Sequence, residues 1–198
     1  MKLIKNIDDA FVSNIANAVV PYGNFLDSLE VTLGNDDYIL SDGKRAVISI
    51  SKNNYFVIEN DKKGIEILLL KRILSLKFSG PLSEILADRE IIKFGLSEKL
   101  FYYYYVLLSL TRKINGIEDF VQINIPWLSF YPYDKENSKI LHELEGKHTL
   151  NYRKEFQAAT AKLFALLQRN LYTARALSES EEEWLSLLAK SEVENHGE

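Results

Sequence analysis

The spacing of hydrophobic residues changes twice along the chain. Between residues 28 and 60, apolar and polar residues alternate in short runs at 29–33, 38–40, 46–50 and 55–58, with glycine, asparagine and aspartate between the runs. Alternation with a period of two is typical of β-strands that bury one face. Because the polar turns are short, the pattern predicts an antiparallel meander of three or four strands.

Helical spacing dominates the rest of the chain. Apolar residues recur three or four positions apart before the strands and again after residue 61. Gly95 follows one of these segments, at the position where a left-handed residue ends a helix. The predicted helices cover residues 7–20, 64–78, 82–94, 97–113, 135–146 and 150–172, and a last one follows the capping box of Ser178 and Glu181.

These elements predict an α+β fold, with a small antiparallel meander near the N-terminus packed on a mainly helical C-terminal body. We divide it into residues 1–61 (the N-terminal helix plus the meander), residues 62–192 (the helical domain) and a frayed tail, 193–198. Residues 117–134 follow neither period and hold two of the four prolines, so we interpret them as an ordered surface loop. Trp127 in this loop either inserts into a partner or covers its own core.

Composition excludes several chemistries. The chain has no cysteine, which excludes disulfides, thiolate zinc sites, iron–sulfur clusters and a cysteine nucleophile. Its first residues lack the apolar run of a signal peptide and its apolar stretches are too short to cross a bilayer, so we expect a cytoplasmic protein without a membrane partner. With a net charge of −4 and mixed surface charges, direct binding of nucleic acid is expected to be weak or absent.

The histidines do not fit a zinc-protease helix. His142 and His148 are six positions apart, about 240° around a helix, whereas two histidines that share a metal are four apart and separated by about 40°. Glu66 follows Ile65 and precedes Leu69, so both positions that a metallopeptidase would fill with histidine are apolar. A related fold would therefore have lost its metal and its activity.

Other motifs of catalysis are missing. The sequence contains no phosphate-binding glycine loop and no nucleophile elbow. We interpret Asp88 and Glu90 as charges on a helix surface. No catalytic residue, metal ligand or cofactor is predicted, and we favour a protein that is not an enzyme.

Aromatic residues supply the candidates for an interaction surface. Residues 101–105 form an aromatic run in a predicted helix, where successive rings point about 100° apart and cannot form one stacking platform. We interpret Tyr104 as a core residue and expect others at an interface. The candidate interface residues are Trp127, Phe130, Tyr131, Tyr102, Tyr103 and Trp184.

Three segments carry a family resemblance. Residues 55–76, 82–110 and 152–188 place a small β module directly before an apolar helix, then an aromatic helix, then an acid-capped helix at Glu181 to Leu185. This layout resembles GINS subunits in which the β domain comes first. The resemblance implies a non-catalytic subunit of a four-lobed complex that bridges the replicative helicase and other replisome proteins.

We therefore expect a non-catalytic scaffold or interaction subunit, with other protein subunits as partners in a hetero- or homo-oligomer. Two alternatives belong to other classes. One is a zinc-metallopeptidase-like domain that lacks the metal-binding histidines, in which Glu66 would face a cleft under the sheet. The other is an enzyme whose site is not visible in one sequence, built from clustered carboxylates or tyrosines.

Overall fold

The computed structural model describes four stretches of the chain, residues 2–6, 10–78, 83–110 and 117–149, together with Glu182 and Ser186. The fold is α+β. Its elements in chain order are β1 (Lys2–Asn6), α1 (Ala10–Val19), a 3-10 turn (Val20–Gly23), β2 (Ser28–Gly34), β3 (Tyr38–Ser41), β4 (Arg45–Ser51), α2 (Tyr55–Ile58), α3 (Lys62–Ser75), α4 (Ser83–Lys93), α5 (Ser97–Ser109), α6 (Ile117–Phe130) and α7 (Lys135–Thr149).

The chain forms two compact units whose bounds differ from the predicted division at residue 61. The first unit comprises Met1–Phe78 and Glu90–Tyr103, and the second comprises Ser79–Arg89 and Tyr104–Glu198. The apolar helix α3 therefore belongs to the same unit as the sheet. The predicted helices after residue 150 lie outside the described residues, except for Glu182 and Ser186, which are helical and exposed.

The sheet of the first unit is mixed, so the predicted antiparallel meander is wrong. Its strand order is β1-β2-β4-β3. Strand β1 pairs parallel with β2, and β2 pairs parallel with β4, whereas β3 and β4 form an antiparallel hairpin. The hairpin turns at Gly43, which has a positive φ of 89°, and the Asp42 carboxylate accepts hydrogen bonds from the amides of Lys44 and Arg45.

Burial explains why β4 takes a central position. Leu29 lies beside Ala46 and Val31 lies beside Ile48 across the parallel pair, and all four side chains are buried. Joining β2 directly to β4 makes one continuous apolar face, which a sequential meander would divide with the more exposed β3. Local turn signals do not encode this choice, because they specify where a strand ends and not which strand it pairs with.

Residues 55–58 form the short helix α2, and the prediction of a fourth strand there is wrong. Asn54 is the N-cap of this helix, and its side chain accepts a hydrogen bond from the amide of Phe56 at 3.1 Å. The N-cap satisfies an amide that has no partner within the helix. Asn54 therefore starts a helix.

Helix α3 forms the apolar centre of the first unit, where it contacts α1, α2 and the 3-10 turn. The Asp61 side chain caps its start by accepting a hydrogen bond from the amide of Gly64 at 3.0 Å. Most of its side chains are buried, as expected for a helix that is apolar on most sides. The predicted C′ glycine after α4 is confirmed, since Gly95 has φ 77° and its amide bonds to the carbonyl of Ile92.

Residues 117–130 form helix α6 of the second unit, which packs on α7, so the predicted loop is wrong over this range. Pro126 lies inside α6 and supplies no N–H, a defect that costs a helix about 3 kcal/mol. Burial offsets this cost, because every residue from Ile123 to Phe130 is buried. The prolines favour a loop in the sequence pattern, but the apolar content of the segment determines its structure.

Gly64 is expected to be essential to the first unit. A Cβ at this position would lie 2.0 Å from Cδ1 of Phe56, so Gly64→Ala must displace a buried ring. We expect the free energy of unfolding to fall by about 1–3 kcal/mol despite the better helix propensity of alanine.

Gly146 in α7 is the matched control, because a Cβ there meets no atom within 4 Å. We expect Gly146→Ala to leave stability unchanged or raise it by up to about 1 kcal/mol. Urea unfolding followed by far-ultraviolet circular dichroism measures both. Equal stability of Gly64→Ala and the wild type would contradict this packing.

Candidate functional site

The six candidate interface residues do not occupy one kind of environment. Trp127 and Phe130 are buried in the second unit, and Tyr131, which follows them, is half-buried. In the first unit, Tyr103 is buried and Tyr102 is 38% exposed. Trp184 lies outside the described residues. Among the five candidates that the structure describes, Tyr102 is therefore the most accessible.

Trp127 covers its own core. Its indole Nε1 donates a hydrogen bond to Oδ1 of Asn124 at 3.0 Å, and its carbonyl accepts one from Oγ of Ser138 at 2.8 Å. The imidazole of His142 lies over it, with 4.6 Å between the ring centroids. Because the ring is only 4% exposed and its polar atom is satisfied, the structure supports the lid interpretation of Trp127.

The second unit contains a buried polar cluster that the sequence interpretation missed. The Asp88 carboxylate, predicted to lie on a helix surface, is fully buried. Its Oδ2 accepts hydrogen bonds from the Tyr104 hydroxyl at 2.5 Å and from Oγ of Ser129 at 2.7 Å. The sequence contains a signal for the burial of Asp88, because the spacing of Ile85, Asp88 and Ile91 places all three on the same apolar side of α4.

Acid–base chemistry uses groups of the kinds found at Asp88, Tyr104 and Ser129. All three side chains are at most 5% exposed, so a reactant in solution does not reach them in this structure. The prediction that Tyr104 is a core residue is confirmed. We assign the cluster to packing, where it joins α4, α5 and α6 by hydrogen bonds that are stronger for being buried.

The first unit presents exposed aromatic and aliphatic side chains around the start of α3. Tyr55 and Ile58 lie one turn apart on α2 and are 39% and 59% exposed. The Tyr102 hydroxyl donates a hydrogen bond to Oδ2 of Asp61 at 2.7 Å, and Nζ of Lys63 lies 5.6 Å from the centre of the Tyr102 ring. We refer to Tyr55, Ile58, Asp61, Lys63 and Tyr102 as the tyrosine surface.

Buried rings support the tyrosine surface from below. Phe56 stacks on Tyr103 with ring centroids 4.9 Å apart and planes inclined by 24°. The Tyr55 ring meets Phe56 edge-on at 5.5 Å. Because Phe56 also closes over Gly64, the exposed rings rest on a packed layer and require little ordering before a partner binds.

The hydrogen bond to Asp61 alters the acidity of Tyr102. This bond, partial desolvation and the negative charge of Asp61 all raise the pKa of the phenol above its ordinary value of 10.0, and ionised Tyr55 adds to the effect.

Glu66 does not stand free as the general base of a peptidase would. Both of its carboxylate oxygens lie 2.8 Å from Nζ of Lys99. The side chains of Ile65 and Leu69 are buried where that class of enzyme places histidines. Within the described stretches, no group of three or more histidine, aspartate or glutamate side chains is arranged to hold a metal ion.

His142 and His148 make separate contacts within the second unit. Nδ1 of His142 lies 3.2 Å from Oε2 of Glu145, and Nε2 of His148 lies 2.7 Å from the carbonyl oxygen of Leu108. The two imidazoles therefore contact different groups and do not converge on one point, as expected from their spacing of six residues.

Comparisons with protein-family models, with curated proteins and with solved structures found no match for this chain. Across the part of the chain that the structure describes, no helix has the length and apolar character needed to span a membrane. The case for the tyrosine surface as a candidate site therefore rests on the geometry of this chain alone.

Replacing Asp61 by asparagine tests the geometry at Tyr102. The amide side chain keeps an oxygen that caps α3, but it removes the charge that holds the phenol proton. We expect the pKa of Tyr102 in Asp61→Asn to fall toward 10.0, measured by NMR with ¹³C-labelled tyrosine.

The raised pKa of Tyr102 should also make the free energy of unfolding depend on pH. Folding raises the pKa of Tyr102, so the stabilisation is complete below pH 10.0 and is lost as the pH rises through the higher pKa of the folded state. Between those values the native protein binds more protons than the unfolded chain. A wild type and an Asp61→Asn variant with the same pH dependence of unfolding above pH 10.0 would contradict the assignment.

Proposed function

We propose that this protein is a non-catalytic interaction subunit that binds another protein through the tyrosine surface. The observation that carries the proposal is the exposure of Tyr55, Ile58 and Tyr102 on a packed layer of buried rings. Tyrosine is enriched at protein interfaces because its ring buries apolar area while its hydroxyl stays hydrogen-bonded.

The composition of the surface fits a protein partner. Ile58, the most exposed of its apolar residues, provides an aliphatic contact, and the two tyrosine rings provide broad faces. Asp61 and Lys63 give the surface charged groups of both signs. An apolar patch with a polar rim is the usual arrangement of a specific protein interface. The partner is expected to offer an apolar side chain to Ile58 and polar groups to the rim.

The resemblance to GINS subunits proposes a more specific role, as one subunit of a complex that contacts the replicative helicase. The features that support it are a β module, an apolar helix and an aromatic helix in that order, which occur here as β1 to β4, α3 and α5. The strand expected directly before the apolar helix is the helix α2. In that role the tyrosine surface would contact another subunit of the complex.

A quantitative pull-down from the native host tests the proposed function. Ile58→Asp places a charge at the most exposed apolar residue of the surface, while Tyr133→Asp alters an accessible site in the second unit. We expect Ile58→Asp to reduce recovery of a stoichiometric partner about tenfold or more, and Tyr133→Asp to leave it unchanged. Mass spectrometry identifies and quantifies the bound protein.

The outcomes separate the general and specific forms of the proposal. Loss of one partner from Ile58→Asp alone supports the tyrosine surface, and identification of that partner as a GINS-like subunit or the replicative helicase supports the replication role. A partner of any other identity contradicts the replication role. Equal recovery with both variants, or a monodisperse wild type without a partner, contradicts the proposed interface.

A further inference from the structure

One face of the sheet carries large exposed side chains. Pairing places Ile4, Glu30, Val47 and Leu40 in one row across the four strands, so their side chains project from the same face. The opposite face holds the buried Leu29, Val31, Ala46 and Ile48. We call the first of these the outer face.

The outer face is apolar toward the β3 edge. Leu40 is 62% exposed, and Tyr38, two residues earlier on the same face, is 44% exposed. Val47, beside Leu40 on β4, is half-buried. Leucine at this level of exposure next to other apolar side chains marks a surface that another molecule can cover.

Two opposite charges flank the apolar residues. Glu30 lies on β2 beside Val47, and Arg45 lies on β4 two residues before Val47, so both side chains are on the outer face. Glu30 is half-buried, and Arg45 is exposed next to the Asp42 turn. Strands about 4.8 Å apart leave the two charges diagonal to each other on neighbouring strands.

We propose that the outer face binds the outer face of a second copy of this chain, with Leu40 and Val47 at the twofold axis and Glu30 of each copy against Arg45 of the other. A twofold axis in the plane of the interface that passes close to Val47 and Leu40 exchanges the positions of Glu30 and Arg45. The same operation brings each apolar residue close to its own counterpart. One surface thereby supplies both halves of every contact, as an isologous dimer requires.

Charge complementarity argues for a second copy as the occupant. Glu30 and Arg45 stand at positions that the axis interchanges, so the dimer contains two opposite-charge pairs between these residues. Lys2, the other charged residue on this face, lies on the edge strand β1, three strands from Leu40. Electrostatic pairing of this kind fixes the register of an interface and excludes other arrangements. The tyrosine surface takes no part, so this inference does not depend on the proposed function.

Analytical ultracentrifugation of the full chain tests the dimer. We expect Leu40→Glu to raise the dissociation constant about tenfold or more, since it places two carboxylates at the axis. Tyr133→Asp is the control, because Tyr133 is also exposed but lies in the second unit and outside both proposed surfaces. Circular dichroism verifies that each variant is folded. A wild type that stays monomeric up to about millimolar concentration would overturn the proposal.

Charge exchange gives the sharper result. Glu30→Arg alone and Arg45→Glu alone create two like-charge pairs in each homodimer, and each variant is expected to dissociate about tenfold more readily. An equimolar mixture of the two variants forms a heterodimer in which both pairs are again opposite, so association should return to that of the wild type. Failure of the mixture to associate, or dimers insensitive to Leu40→Glu, would overturn the assigned face.

Discussion

The close packing of Phe56 against Gly64 is the constraint on which the first unit depends. Because Gly64 has no side chain, the ring of Phe56 reaches the backbone of α3 and stacks on Tyr103 at the same time. This contact fixes α2 on α3, and α2 carries Tyr55 and Ile58 to the surface. Asp61 adds a second constraint, since one carboxylate oxygen caps α3 and the other holds the Tyr102 hydroxyl. The position of the tyrosine surface therefore follows from local packing and capping.

In the second unit, hydrogen bonds between buried polar groups position the helices, as the contact of Phe56 with Gly64 does in the first unit. Asp88 receives two hydroxyl donors, and the Trp127 backbone receives the hydroxyl of Ser138. Each bond ties one helix to another in a buried region, where an unsatisfied polar atom would be costly. These groups specify how the helices pack. The exposed side chains that we connect with function, those of the tyrosine surface, lie in the first unit.

Periodicity is sufficient to predict the α+β class, α1, α3, α4, α5 and α7, because long apolar stripes identify a helix without tertiary information. Strand pairing is not predictable from turns, and β1 escapes prediction since Lys2–Asn6 is too short to show a period. Pro126 and the aromatic run around it indicate a loop, although burial of the segment makes it helical. Of the residues in the tyrosine surface, Tyr102 is found from the aromatic run, whereas the pattern assigns Tyr55 and Ile58 to a strand. Their position depends on the Asn54 cap and on Phe56. Phe56 and Tyr103 are far apart in the sequence, so the local pattern does not show their contact.

Site-specific photocrosslinking in the native host tests the central claim most directly. A benzoylphenylalanine at Ile58 would replace the most exposed apolar residue of the tyrosine surface, and the same group at Tyr133 would report on an exposed site elsewhere. The account predicts a crosslink to one protein from position 58 and none to that protein from position 133. The same crosslinked products from both positions, or a bound partner that position 58 never labels, would contradict it.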